Sequence, residues 1–118
     1  MRRPDDGALL LDMLLAAREA KELAAGLDRD GLAGNRAVFL AVQKLIENVG
    51  EAASRLSDEA RNKLPALPWK DIVGMRHRLV HDYMRVDVDR VWTVVDSDLG
   101  MLITAIESQG INEEPRGK

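Results

Sequence analysis

The sequence predicts an all-α protein, an up-and-down bundle of four main helices plus one short helix. Three observations carry this. Apolar residues recur at three-and-four spacing in long segments, β-branched residues nowhere alternate cleanly with polar ones, and capping and breaking residues fall between the periodic segments. The first helix runs from about Asp6 to about Gly26, with Leu9, Met13, Ala16, Ala20, Leu23 and Leu27 on one face. Leu10, Leu11, Leu14 and Leu15 widen that face beyond a single stripe, which suggests burial against more than one neighbour, a second subunit among them.

After a loop DRDGLAGN, the second helix reads from about Arg36 to Leu56, with Val38, Ala41, Leu45, Val49, Ala52 and Leu56 inward. Gly50 interrupts it at some cost in propensity, which suits a close helix contact. Ser57 can cap a short helix over Asp58 to about Lys63, and LPALP then breaks the chain. Pro68 is placed to start the third helix at Trp69, and that helix is expected to carry the stretch RHRLVHDY, Arg76 to Tyr83. Asp87 reads as the N-cap of the last long helix, whose inward positions are Val88, Val91, Val95, Leu99, Leu102 and Ile106. Gly110 ends it, so residues 1–110 form one helical domain and 111–118, ending NEEPRGK, a flexible tail.

Bulk properties narrow the function. At 118 residues the chain is one domain, and 46% apolar with 31% charged residues suits a globular fold. The absence of cysteine removes disulfides, thiol nucleophiles and Cys-based zinc sites. Arg2 and Arg3 ahead of ALLLDMLLAA imitate a secretory leader. Asp5, Asp6 and Asp12 interrupt the imitation, and charged AREAKE follows, so a cytoplasmic protein with no membrane span is expected. A net charge of −3 argues against binding that depends on broad phosphate neutralisation, and four aromatic residues are too few for a base-stacking platform. Any contact with RNA must therefore be local.

RHRLVHDY holds both histidines and the sole tyrosine of the chain, with two arginines. An imidazole with a reference pKa of about 6.5 moves protons near neutral pH. A guanidinium can hold two phosphate oxygens while charge builds on them. RNA brings its own nucleophile in the 2′-hydroxyl, so a proton acceptor, a proton donor and a cation suffice for cleavage. Arg76 and His81, with His77 or Tyr83, supply those types. On a continuous helix His81 would lie about 140° around from Arg76. The two converge on one phosphate only if the helix ends or distorts near His81, or if a symmetry mate supplies one of them.

Other readings compete. His77 and His81 have the i, i+4 spacing of two metal ligands, but no HExxH pattern accompanies them and no carboxylate is aligned, so no metal is expected. Arg78 and Asp82 suit a surface ion pair, and Arg85 and Arg90 alternate with Asp87 and Asp89 as a mixed solvated surface does.

Arg76, His81 and Tyr83 stand in the pattern arginine, four residues, histidine, one residue, tyrosine. This resembles the signature of the HEPN superfamily, and of its HepT-like toxins in particular. The likeness extends through LIENVGEAA in the second helix, LPWKDIVGMRHRLVHDY in the third and VDVDRVW into the fourth. It implies a HEPN-like homodimer whose motif residues line a shared cleft, and a metal-independent ribonuclease with Arg76 and His81 in the catalytic positions and His77 and Tyr83 supporting. It implies no cofactor. It also implies a partner, a minimal nucleotidyltransferase antitoxin that neutralises the toxin by adenylylating Tyr83. Glu51 in VGEAA is a candidate to orient Arg76, although an exposed carboxylate is the simpler reading. The alternatives are a non-catalytic module that binds nucleotide or presents substrate to a nucleotidyltransferase, and a dimerisation module whose motif only buttresses the fold.

Overall fold

The structure is a computed structural model that describes residues 5–75, 80–82 and 85–111, with backbone alone for 80–82 and 85–86. Helices build the architecture. α1 (Asp6–Ala24) begins where the Asp5 carboxylate accepts the Gly7 N–H, and Gly26 at φ +82° turns the chain after it. α3 (Arg36–Ser54) lies along α1, and the last helical run packs on the other side of α1. The core therefore sits around α1, where Met13, Leu14, Ala17 and Ala20 meet a seam of Val42, Ile46 and Val49, all fully buried. Alanines in that seam let the backbones approach, and each large aliphatic side chain contributes about 1.5–3 kcal/mol by leaving water.

Most of the surplus apolar surface of α1 is absorbed within the chain. Leu10 and Leu14 are buried, whereas Leu15 and Leu23, the latter expected inward, remain at the surface and Ala24 is buried in place of Leu23. On α3 the deepest face is Phe39, Val42 and Ile46, one residue around from the expected Val38, Ala41 and Leu45, which are half-buried.

The loop expected at DRDGLAGN contains a helix, α2 (Arg29–Gly34). The Asp28 carboxylate accepts the Gly31 N–H at 2.8 Å, and fully buried Leu32 anchors the segment, which outweighs its two glycines. Asn35 then caps α3 through Val38 N–H. Ser57 caps α4 (Asp58–Asn62) as expected, and both its hydroxyl and its N–H donate to the Asp6 carboxylate, tying α4 to the start of α1.

The third helix departs most from expectation. α5 spans only Trp69–Val73, Gly74 caps it, and the backbone is helical again at Met75. His81 does not lie on a helix. β1 (Val80–Asp82) pairs antiparallel with β2 (Arg85–Val86), Val80 opposite Val86 and Asp82 opposite Arg85. Gly74 weakens the helix, and β-branched Val80 and Val86 favour extended backbone, which helical periodicity alone conceals.

Asp87 caps the last run as expected, accepting the N–H groups of Asp89 and Arg90. That run is α6 (Val88–Thr93), a π-helical turn (Val94–Asp98) and α7 (Leu99–Glu107), with Val91, Val95, Leu99, Leu102 and Ile106 buried. The wider π turn leaves carbonyls without their usual donors, and Lys21 Nζ of α1 donates to Val95 O at 3.2 Å. Gly110 at φ +79° closes the run. No helix among the described residues is long and apolar enough to cross a membrane.

Candidate functional site

Of the residues expected to do chemistry, Arg76, His77 and Tyr83 lie outside the described residues, as does the Arg78 half of the expected pair with Asp82. The structure places the backbone of His81 in the middle of β1. An extended backbone there removes the helical constraint that would hold His81 about 140° from Arg76. It equally removes the one-face relation that a helix would give His81 to the histidine four positions before it.

What the structure does fix is the frame from which the motif departs. Trp69 starts α5, and its indole Nε1–H is shared between two carbonyls, Arg61 O at 3.1 Å and Leu64 O at 3.0 Å. Arg61 reaches back to donate to Ala53 O at 3.1 Å, a carbonyl at the end of α3 that also accepts the Leu56 N–H. α3, α4 and α5 are thereby linked around one junction. Ile72 and Met75 are buried, and Met75 is joined directly to Arg76. Sequence reasoning passed over Trp69 and Arg61. The available signal was the indole itself, since a half-buried Trp N–H nearly always finds an acceptor.

On the other side of the motif, Arg29 of α2 donates to Asp89 at 2.7 Å and to Asp30 at 3.0 Å. The hydrogen bond to Asp89, then that to Asp30, hold its guanidinium pKa above the ordinary value. Arg29 thus pins the first turn of α6, while Arg90 pairs with Asp87 across 3.4 Å. For Arg90 the mixed-surface reading holds; the Arg85 side chain lies outside the described residues.

A cavity of about 470 Å³ opens between α5 and the last helical run, with Ile72, Met75, Val94 and Leu102 in its lining. Among the described residues Asp71, Asp89, Asp98 and Arg90 also line it, so the carboxylates among them outnumber the guanidinium. Among the described residues that charge balance is unfavourable for a polyanion. A second, shallower groove of about 410 Å³ runs between α1 and α3 and is lined by Leu15, Leu45, Glu51 and Arg55 among others. Glu51 is exposed, in keeping with the simpler expectation for it; its relation to Arg76 lies outside the described residues.

Comparison with known proteins agrees with the family resemblance read from the sequence. The profile of the family described as "Ribonuclease HepT-like" matches residues 13–108. The chain is 31% identical over 107 residues to a Methanocaldococcus jannaschii protein named "Putative RNase MJ1380", covering 91% of this chain and 98% of that one. A second protein of that organism, "Putative RNase MJ0125", is 33% identical over 78% of this chain and 79% of its own length. "Probable ribonuclease HepT" of Thermococcus cleftensis is 34% identical over 52% of this chain and 56% of its own length. No solved structure matches the chain. A family match over most of the sequence, with a relative aligned over nearly its full length, settles the classification: the chain belongs to the HepT-like ribonuclease family.

Proposed function

We propose that the protein is a metal-independent endoribonuclease toxin in which Arg76 and His81 act on one phosphodiester. The observation that carries this reading is the coincidence of family membership with the cluster Arg76, His77, His81 and Tyr83 in a chain that has no other histidine or tyrosine. In the proposed step the His81 imidazole accepts the proton of a 2′-hydroxyl as its oxygen attacks the adjacent phosphorus. The Arg76 guanidinium holds the non-bridging oxygens as charge accumulates on them. The bond from phosphorus to the 5′-oxygen breaks, and that oxygen takes a proton from a second group, for which His77 and Tyr83 are the candidates within the motif. The products are a 2′,3′-cyclic phosphate and a 5′-hydroxyl.

The protein acts as a homodimer whose motif residues line a shared cleft, and apolar Leu15 and Leu45 in the α1–α3 groove are surface available to a second copy. Its control partner is a minimal nucleotidyltransferase that adenylylates Tyr83, joining the phenolic oxygen to the α-phosphorus of ATP with release of pyrophosphate.

A short RNA and the same oligonucleotide with a 2′-deoxy sugar at the cut position test the chemistry, both in excess chelator. The RNA should be cut to a cyclic-phosphate end and the deoxy strand left whole. Cutting of both strands alike would contradict the 2′-hydroxyl mechanism. An intact RNA after prolonged incubation would favour the non-catalytic, nucleotide-binding reading instead.

A further inference from the structure

Gly50 is buried in α3 at the point where α5 crosses it. A Cβ built there would stand 3.1 Å from Ile72 O, 3.5 Å from Met75 Cβ and 3.6 Å from Val73 O. The nearest obstacle is backbone, which has no rotamer to swing aside, so any side chain at this position must push the end of α5 outward by a few tenths of an ångström. The other end of α5 cannot follow freely, because the Trp69 indole is held by Arg61 O and Leu64 O. A displacement at Ile72 and Val73 therefore tilts this one short helix and reaches buried Met75, the residue that precedes Arg76 in sequence.

We propose that Gly50 is a positioning residue for Arg76: its missing side chain sets how closely α5 approaches α3, and hence the point at which the chain enters the motif. The activity readout of this inference rests on the ribonuclease reading, whereas its structural readout does not.

A matched pair of substitutions isolates the effect. Gly50→Ala and Gly100→Ala make the same chemical change inside a helix and gain the same helix propensity. At Gly100, however, the nearest atom to a new Cβ is Lys21 Nζ at 4.0 Å, the far end of a flexible chain. Gly50→Ala should lower kcat on the order of tenfold with KM within about twofold, because misplacing a reacting group by a fraction of an ångström acts on the transition state rather than on binding. Gly100→Ala should match the unsubstituted protein. In methionine-methyl NMR spectra the Met75 resonance should move in Gly50→Ala and stay in place in Gly100→Ala.

Wild-type kcat in Gly50→Ala would overturn the proposal. So would loss of its cooperative melt, which would make the glycine a folding requirement. If the unsubstituted protein cuts no RNA, the ribonuclease reading fails on its own, and the Met75 resonance still decides: moved, it upholds the displacement, and unmoved, it rejects it.

Discussion

Arg76→Ala and His81→Ala are each expected to lower kcat/KM for RNA by roughly 10²–10⁴-fold, the range for removing one charge stabiliser or one proton-transfer group from a reaction centre. Their melting temperatures should stay close to that of the unsubstituted protein. The double variant should lose little more than the worse single one, because groups that act on one transition state are not additive. Arg76→Lys should recover little, since an ammonium is a point charge that cannot reproduce the planar two-toothed grip of a guanidinium on phosphate. Steady-state cleavage of a short RNA beside thermal melts followed by circular dichroism measures all four. Cleavage that survives both substitutions would remove these residues from the chemistry. A large fall in stability in either single variant would make the motif a buttress of the fold.

Adenylylation of Tyr83 is expected to silence the protein as fully as Arg76→Ala does. A phosphate joined to the motif tyrosine is a tethered anion of the kind the guanidinium binds, and the nucleotide attached to it adds bulk where RNA must enter. After co-expression with the nucleotidyltransferase, intact-mass measurement should show an adenylyl-sized increment that vanishes in Tyr83→Phe. The Tyr83→Phe protein should then escape neutralisation. Neutralisation without a change in mass, or modified protein that still cuts RNA at the original rate, would exclude this mode of control.

The last helical run was legible in sequence because Asp87 marks its start and Val91, Val95, Leu99, Leu102 and Ile106 keep three-and-four spacing; all five are buried, and Val88 in the first turn is half-buried. α3 was legible as a helix, and Val49, Ala52 and Leu56 are buried as expected, but the rotation of its first half was not legible. Val38, Ala41 and Leu45 form one apolar stripe, Phe39, Val42 and Ile46 the next, and periodicity cannot say which of two adjacent stripes faces α1. α2 was hidden by Gly31 and Gly34, and only the Asp28 cap and the buried Leu32 explain why it forms. The third helix was drawn too long because its hydrophobic spacing suits a helix, while the pairing of Val80 with Val86 depends on a partner strand that local spacing does not encode.

The candidate chemistry was legible for a different reason, since rare residue types were gathered in one stretch that matches a family pattern. The frame that delivers that stretch was legible at Gly50, where a helix-interior glycine hints at close approach, and at Pro68, after which α5 starts at Trp69 as expected. The tie from Trp69 to Arg61 and Leu64 joins groups on different elements, and no spacing rule reports it.

The most direct test of the account is a structure of the protein with an RNA strand made uncleavable by a single 2′-O-methyl sugar, which keeps the 2′-oxygen in place. The Arg76 guanidinium and the His81 imidazole should both stand within about 3 Å of the oxygens around that one phosphodiester linkage, contributed by one chain or by the two chains of the dimer. Either group packed into the apolar interior, or the two directed to separate surfaces in the assembly that binds the strand, would contradict it.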